Sequence, residues 1–108
     1  MRDVTIAQLM EMQHELWSLH QDTWAPMEPE YGRDALLWMV EELGEVIAII
    51  KKQGDSAIMG DADTRAHFTE EMCDVLMYYL DALLRYGVTA EDLGEAYRVK
   101  HRFNLNRF

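Results

Sequence analysis

Between Arg33 and Lys52 the apolar residues Leu36, Val40, Leu43, Ile47 and Ile50 recur at steps of four and three. That spacing puts them on one stripe of an α-helix and does not match the period-two alternation of a half-buried strand. The stretch also outruns the usual length of a strand. A long amphipathic helix is therefore the element around which the rest of the chain has to be arranged.

The flanking segments carry the same period. Thr5 and Gln8 have capping-box spacing and open a helix from Val4 to about Gln21, with Ile6, Leu9, Met10, Leu16, Trp17 and Leu19 on its apolar side. Pro26, Pro29 and Gly32 punctuate the connection that follows, whose Trp24, Met27 and Tyr31 are bulky for a solvated loop. Gly54 to Gly60 reads as a flexible turn. Asp63 or Thr64 then caps a third helix reaching about Tyr86, striped by Met72, Leu76, Leu80 and Leu83. Gly87 stands where a helix-ending glycine is expected, and Thr89 with Asp92 opens a fourth helix to about Phe103. Nothing reads as a strand or an internal repeat. The expectation is an all-α fold, a four-helix, bundle-like single domain over residues 1–108.

A chain of 108 residues buries a smaller share of its surface than a longer one, so association into a dimer or tetramer is expected to complete the core. Twenty acidic against ten basic residues leave a formal charge of -10, which repels a polyanion such as nucleic acid and favours cations. No run approaches the ~20 apolar residues of a membrane span. The opening MRDVTIAQLM lacks the uninterrupted apolar core of a signal peptide. These features predict a cytoplasmic protein with neither a membrane nor a nucleic acid as partner. The lone cysteine, Cys73, lies between Met72 and Asp74 and is expected to be a small buried hydrophobe.

The residues that carry chemistry are acids. Glu41-Glu42-Leu43-Gly44-Glu45 falls in the second helix and Glu70-Glu71-Met72-Cys73-Asp74 in the third. Helix positions three apart have Cβ atoms roughly 5–6 Å from one another, so Glu42 with Glu45, and Glu71 with Asp74, each form a local pair. Two such pairs face to face make a four-carboxylate box. Met39, Val46 and Ile49 share a side with Glu42, and Met72, Val75 and Leu76 flank the other pair, which sets the acids at the edge of the core. Crowded carboxylates in partly dry surroundings repel one another and lose hydration, and a hard divalent cation relieves both. Oxygen-only ligation suits Mg²⁺, with Mn²⁺ as a substitute, over zinc or copper. A single acidic pair is common as surface decoration; two pairs embedded in apolar faces are not.

With these residues in hand the sequence resembles the MazG-like nucleoside triphosphate pyrophosphohydrolases. Their EExxE segment is matched by Glu41, Glu42 and Glu45, and the following ExxD by Glu71 and Asp74. Their terminal Lys-x-x-x-Asn-x-x-Arg pattern is matched by Lys100, Asn104 and Arg107. The resemblance spans about Leu36 to Arg107. It implies Mg²⁺ held by Glu42, Glu45, Glu71 and Asp74, and hydrolysis of a nucleoside triphosphate between the α and β phosphates to a monophosphate and pyrophosphate. Housecleaning of the nucleotide pool is the role the family suggests.

Glu41 is then either the group that orients or deprotonates the attacking water or a plain exposed acid. Lys100, Asn104 and Arg107, at i, i+4 and i+7, either grip the phosphate tail or form a basic helix end favoured by the macrodipole. Tyr78, one turn after Asp74, and Trp17, Trp24 or Trp38 offer flat faces for a base, although packing is the commoner use of aromatic residues. His14, His20, His67 and His101 show no spacing shared with the acids. Two rival readings remain: a non-catalytic helical dimerisation or interaction module, and a metal-binding scaffold that keeps the four acids but has lost turnover or turned to an unusual nucleotide.

Overall fold

The computed structural model describes residues 2–108 and contains five α-helices, with no strand among the described residues. Helix α1 spans Ile6–Leu19, α2 Gly32–Gln53, α3 Asp55–Gly60, α4 Ala62–Arg85 and α5 Ala90–Arg107, and a short 3-10 turn at Pro29–Tyr31 precedes α2. The all-α expectation holds. The helix count does not, because the segment read as a flexible turn is α3. Its two glycines sit at the boundaries: Gly54 takes φ +85°, which ends α2, and Gly60 closes α3. Asp55 in the first turn suits the positive end of the helix dipole.

Local capping chemistry sets most of the remaining boundaries. The Thr5 hydroxyl accepts the Gln8 N–H while the Gln8 side chain accepts the Thr5 N–H, and Thr89 with Asp92 repeats the arrangement at α5. Helix α4 is capped by Asp61, not by Asp63 or Thr64. The Asp61 carboxylate accepts from the Thr64 hydroxyl at 2.7 Å and from its N–H at 3.0 Å, and these bonds hold the carboxyl below its ordinary value. Thr64 is thus the donor to the cap. Helix α5 continues past Phe103 to Arg107.

Helices α2 and α4 form the principal packed pair; α1 lies on α4, α3 touches both α2 and α4, and α5 reaches only α1 among the helices. A Cβ at Gly32 would collide with the Tyr86 ring, so the start of α2 approaches Tyr86 at the end of α4 in a way that only a glycine permits without a shift. The core comprises Met10, Ala35, Val46, Ile49, Ile58, Leu80 and Ala82. It is thin, with no fully buried side chain among the described residues. The Cα radius of gyration is 16.3 Å, against about 13 Å for a compact domain of this length. The accessible surface is 8357 Å², against about 6,200 Å² for a folded monomer of this mass.

The excess surface has a definite location. The stripe expected to form the core of α2 is bare, with Val40 61% and Ile47 48% exposed and Leu36, Leu43 and Ile50 exposed beside them. Helix α2 carries two apolar stripes about a quarter turn apart. The protomer buries the one through Ala35, Val46 and Ile49, with Met39 half-buried along it. Glu42 interrupts that second stripe, which made the uninterrupted one look like the core. On α4, Met72 and Leu76 are exposed, whereas Leu80 is buried and Leu83 half-buried. Cys73 is also exposed, contrary to expectation, because it lies with Met39, Met72 and Leu76 in an open apolar groove that no other element among the described residues covers.

Candidate metal centre

On α4 the residues Glu71, Asp74, Tyr78, Asp81 and Arg85 step by three and four and therefore share one side of the helix. This polar stripe meets Glu42 of α2. One carboxylate oxygen each from Glu42, Glu71 and Asp74 lies within 4.8 Å of the others, and all three residues are half-buried. The Glu42 carboxyl is pushed above its ordinary value of 4.5, first by burial, then by the neighbouring Glu71 side chain and by the charges of Asp74, Glu71 and Glu45.

Of the four acids expected to hold metal, three are thus gathered. Glu45, one turn along from Glu42, is exposed and outside the group of three, although its charge is felt at Glu42. Glu41 is exposed beside them. Contrary to the expectation that the histidines share no spacing with the acids, His67 stands four residues before Glu71 on α4, and its Nε2 lies 3.4 Å from the Glu71 carboxylate. Three hard oxygen donors that repel one another in half-dry surroundings fit a Mg²⁺ ion, which binds through a few carboxylates and keeps positions for water and phosphate.

A cavity of about 510 Å³ opens beside the acids, with Glu42 and Asp74 in its wall and Trp24, Tyr31, Trp38 and Tyr78 as its aromatic lining. The Tyr78 hydroxyl titrates above its ordinary value, through burial first and then the charges of Glu42, Asp74, Asp81 and Glu41, so it stays protonated as a donor. Trp17 does not line the cavity. Its indole N–H donates to the Ala25 carbonyl at 2.9 Å, within the strap that joins α1 to α2. Arg85 fastens the same strap: its Nη1 donates to the carbonyls of Ala25 and Pro26, while its Nε donates to Asp81 at 2.7 Å. The Trp24 ring stacks on His20, with centroids 4.6 Å apart.

Lys100, Asn104 and Arg107 share one face of α5, which touches α1 and not α2 or α4. Lys100 and Arg107 lie over the Phe103 ring at 5.2 and 5.5 Å, and Asn104 Oδ1 is buried without a partner. Three buried polar residues of the cavity, Gln13, Asp81 and Arg85, do not stand out in the sequence as site residues. Asp81 and Arg85 continue the three-four spacing of Glu71, Asp74 and Tyr78, a legible signal. Gln13 lies on the apolar side of α1, where a polar residue reads as an interruption.

Compared with protein-family models, with curated proteins and with solved structures, the chain matches none.

Proposed function

We propose that the protein is a Mg²⁺-dependent pyrophosphohydrolase that cleaves a nucleoside triphosphate between its α and β phosphates. The observation that carries this reading is the meeting of Glu42, Glu71 and Asp74 oxygens within 4.8 Å at the wall of an aromatic-lined cavity of about 510 Å³. A phosphate chain bound with its metal beside the acids leaves the base within reach of the aromatic lining. The resemblance of the EExxE and ExxD segments supports the same assignment.

In this reading Glu42, Glu71 and Asp74, with Glu45 one turn away, hold Mg²⁺, or Mn²⁺ in its place. When bound, the ion supplies charge neutralisation for phosphate oxygens and a lowered pKa for the attacking water. Glu41 accepts the proton of that water as its oxygen bonds to the α phosphorus, and the bond from that phosphorus to the bridging oxygen breaks to release pyrophosphate. Tyr78 donates its hydroxyl hydrogen within the cavity. Lys100, Asn104 and Arg107 grip the phosphate tail. Because α5 packs only on α1, delivery of this trio across an interface between copies is favoured. A dimer or tetramer also covers the bare stripes: the protomer's surface excess of about 2,000 Å² over a compact monomer exceeds the ~800 Å² per partner of a standard interface.

Pyrophosphate release from a panel of nucleoside triphosphates, with and without Mg²⁺, tests the assignment. The Glu42→Gln, Glu71→Gln double variant is expected to lose release by about a hundredfold or more, the scale set by removing preorganised charge stabilisation. Release that survives the double variant, or that ignores chelation, sinks it. The bare apolar stripes favour one second reading, a non-catalytic helical dimerisation module, in which Mg²⁺ leaves the melting temperature unchanged and no nucleotide is turned over.

A further inference from the structure

The cavity holds a polar group that the acids and the strap leave out. Gln13 of α1 is only 7% exposed and lies in the cavity wall. The hydrogen bonds around it run from Trp17 to Ala25 and from Arg85 to Ala25, Pro26 and Asp81, and none involves the Gln13 amide. The amide atoms of Gln13 are not among the solvent-excluded polar atoms left without a partner, so the small part of this residue that stays accessible includes its amide. A ligand that fills the cavity displaces water from that amide and must return its hydrogen bonds or leave the amide unpaired at a penalty. The neighbouring surfaces say what shape that something has. Trp24, Tyr31, Trp38 and Tyr78 line the same space, which is a lining for a flat, unsaturated ring. The volume, about 510 Å³, lies within the range of pockets that enclose small ligands, roughly 300–1,000 Å³.

We infer that this cavity is a nucleobase seat and that Gln13 is its reader, pairing its amide N–H and carbonyl oxygen with a donor and an acceptor set side by side on the base edge. A glutamine amide presents those two groups in one plane, the geometry by which amide side chains match adenine and comparable edges. A purely apolar ring would leave the amide unpaired and is excluded from tight binding by the same penalty. The aromatic lining supplies affinity without choosing between bases; the amide supplies the choice. This deepens the nucleotide reading and rests on it for the class of heterocycle.

The test uses neither metal nor phosphate. Adenosine, cytidine, guanosine and uridine are titrated in chelator against the intrinsic tryptophan fluorescence of the full chain, since Trp24 and Trp38 lie in the cavity wall. At least one nucleoside is expected to quench saturably. In Gln13→Met, which keeps the size of the side chain and removes its polar atoms, that affinity falls by about tenfold or more, the scale of a lost pair of hydrogen bonds to a buried group. The analogue of the best nucleoside that lacks its exocyclic group binds the parent protein as weakly as the full nucleoside binds the variant. Should Gln13→Met fail to fold, Gln13→Glu, which removes the donor and keeps the shape, gives the same readout. Unchanged affinity in the folded variant, or no quenching by any nucleoside, overturns the proposal. Nucleoside binding without any triphosphate turnover removes the pyrophosphohydrolase reading alone. Turnover whose base selectivity is unaltered in Gln13→Met removes the base reader alone.

Discussion

Helix α4 presents two sides of opposite character. Along one run Glu71, Asp74, Tyr78, Asp81 and Arg85, all buried or half-buried; round the helix lie Met72 and Leu76, both exposed. Helix α2 repeats the contrast, with Glu42 half-buried among Ala35, Val46 and Ile49 while Leu36, Val40 and Ile47 face outward bare. Beside an apolar core, part of the charge has gone inward and part of the apolar surface outward, the reverse of what burial alone would select at those positions. An inward side of this kind suits a charged ligand with a metal ion, and an outward side of this kind suits a second copy, so the inversion is what the proposed function calls for.

The comparison breaks most sharply at Arg85. Arg85→Met leaves Asp81 buried without its partner and frees the strap carbonyls, and thermal melting should register a loss of about 3 kcal/mol or more. A loss under ~1 kcal/mol would mean that the inward polar stripe is not structurally committed. Next comes a matched pair on α2. Ile49→Ala is expected to cost about 2 kcal/mol or more through its cavity, whereas Ile47→Ala should stay within about 0.5 kcal/mol for the isolated protomer. The Ile47 variant should instead shift the sedimentation profile toward monomer, and an identical profile would remove the outward stripe from the interface.

A smaller effect follows from Glu42. Its carboxyl is raised above 4.5, so the folded state holds this proton more tightly than the unfolded chain does. The associated stability is present at low pH, falls as pH rises from the ordinary value through the folded one, and is absent at neutral pH. In chelator, Glu42→Gln should remove that decline and lift the neutral-pH melting temperature by a few degrees; Mg²⁺ should do the same for the parent chain but not for the variant. A variant that melts lower than the parent in chelator would contradict the electrostatic account. The least effect is kinetic: Cys73 lies with Met39, Met72 and Leu76 in an open apolar groove. Thiol labelling should slow as protein concentration rises, and concentration-independent labelling would place that groove outside any contact between copies.

Helix type and most boundaries were legible because they depend on neighbours in sequence. The boxes at Thr5–Gln8 and Thr89–Asp92 are local hydrogen-bond patterns, and the carboxylate spacing on α4 needs only the helical period. Choices made between elements were not legible. Two stripes on α2 compete for one packing partner, and the period alone gives no reason to prefer the one containing Glu42. Helix α3 was hidden because its bounding glycines resemble a loop when the intervening residues have no visible partner. The cavity draws on α1, the strap, α2 and α4, so Gln13 acquires meaning only once α1 is laid on α4. Asp81 and Arg85, by contrast, were readable as a continuation of the acidic stripe.

The strap between α1 and α2 is tied down through the carbonyl oxygens of Ala25 and Pro26, with Trp17 and Arg85 as the donors. Every amino acid carries such an oxygen. The tether is therefore indifferent to which side chains occupy the strap, and substitutions there can alter the wall of the cavity without loosening it. Lengthening the strap on either side of the tether adds little closure entropy, since that penalty grows only slowly with loop length. Mutational drift can accordingly explore new ligand preferences in this segment while the scaffold beneath it stays the same.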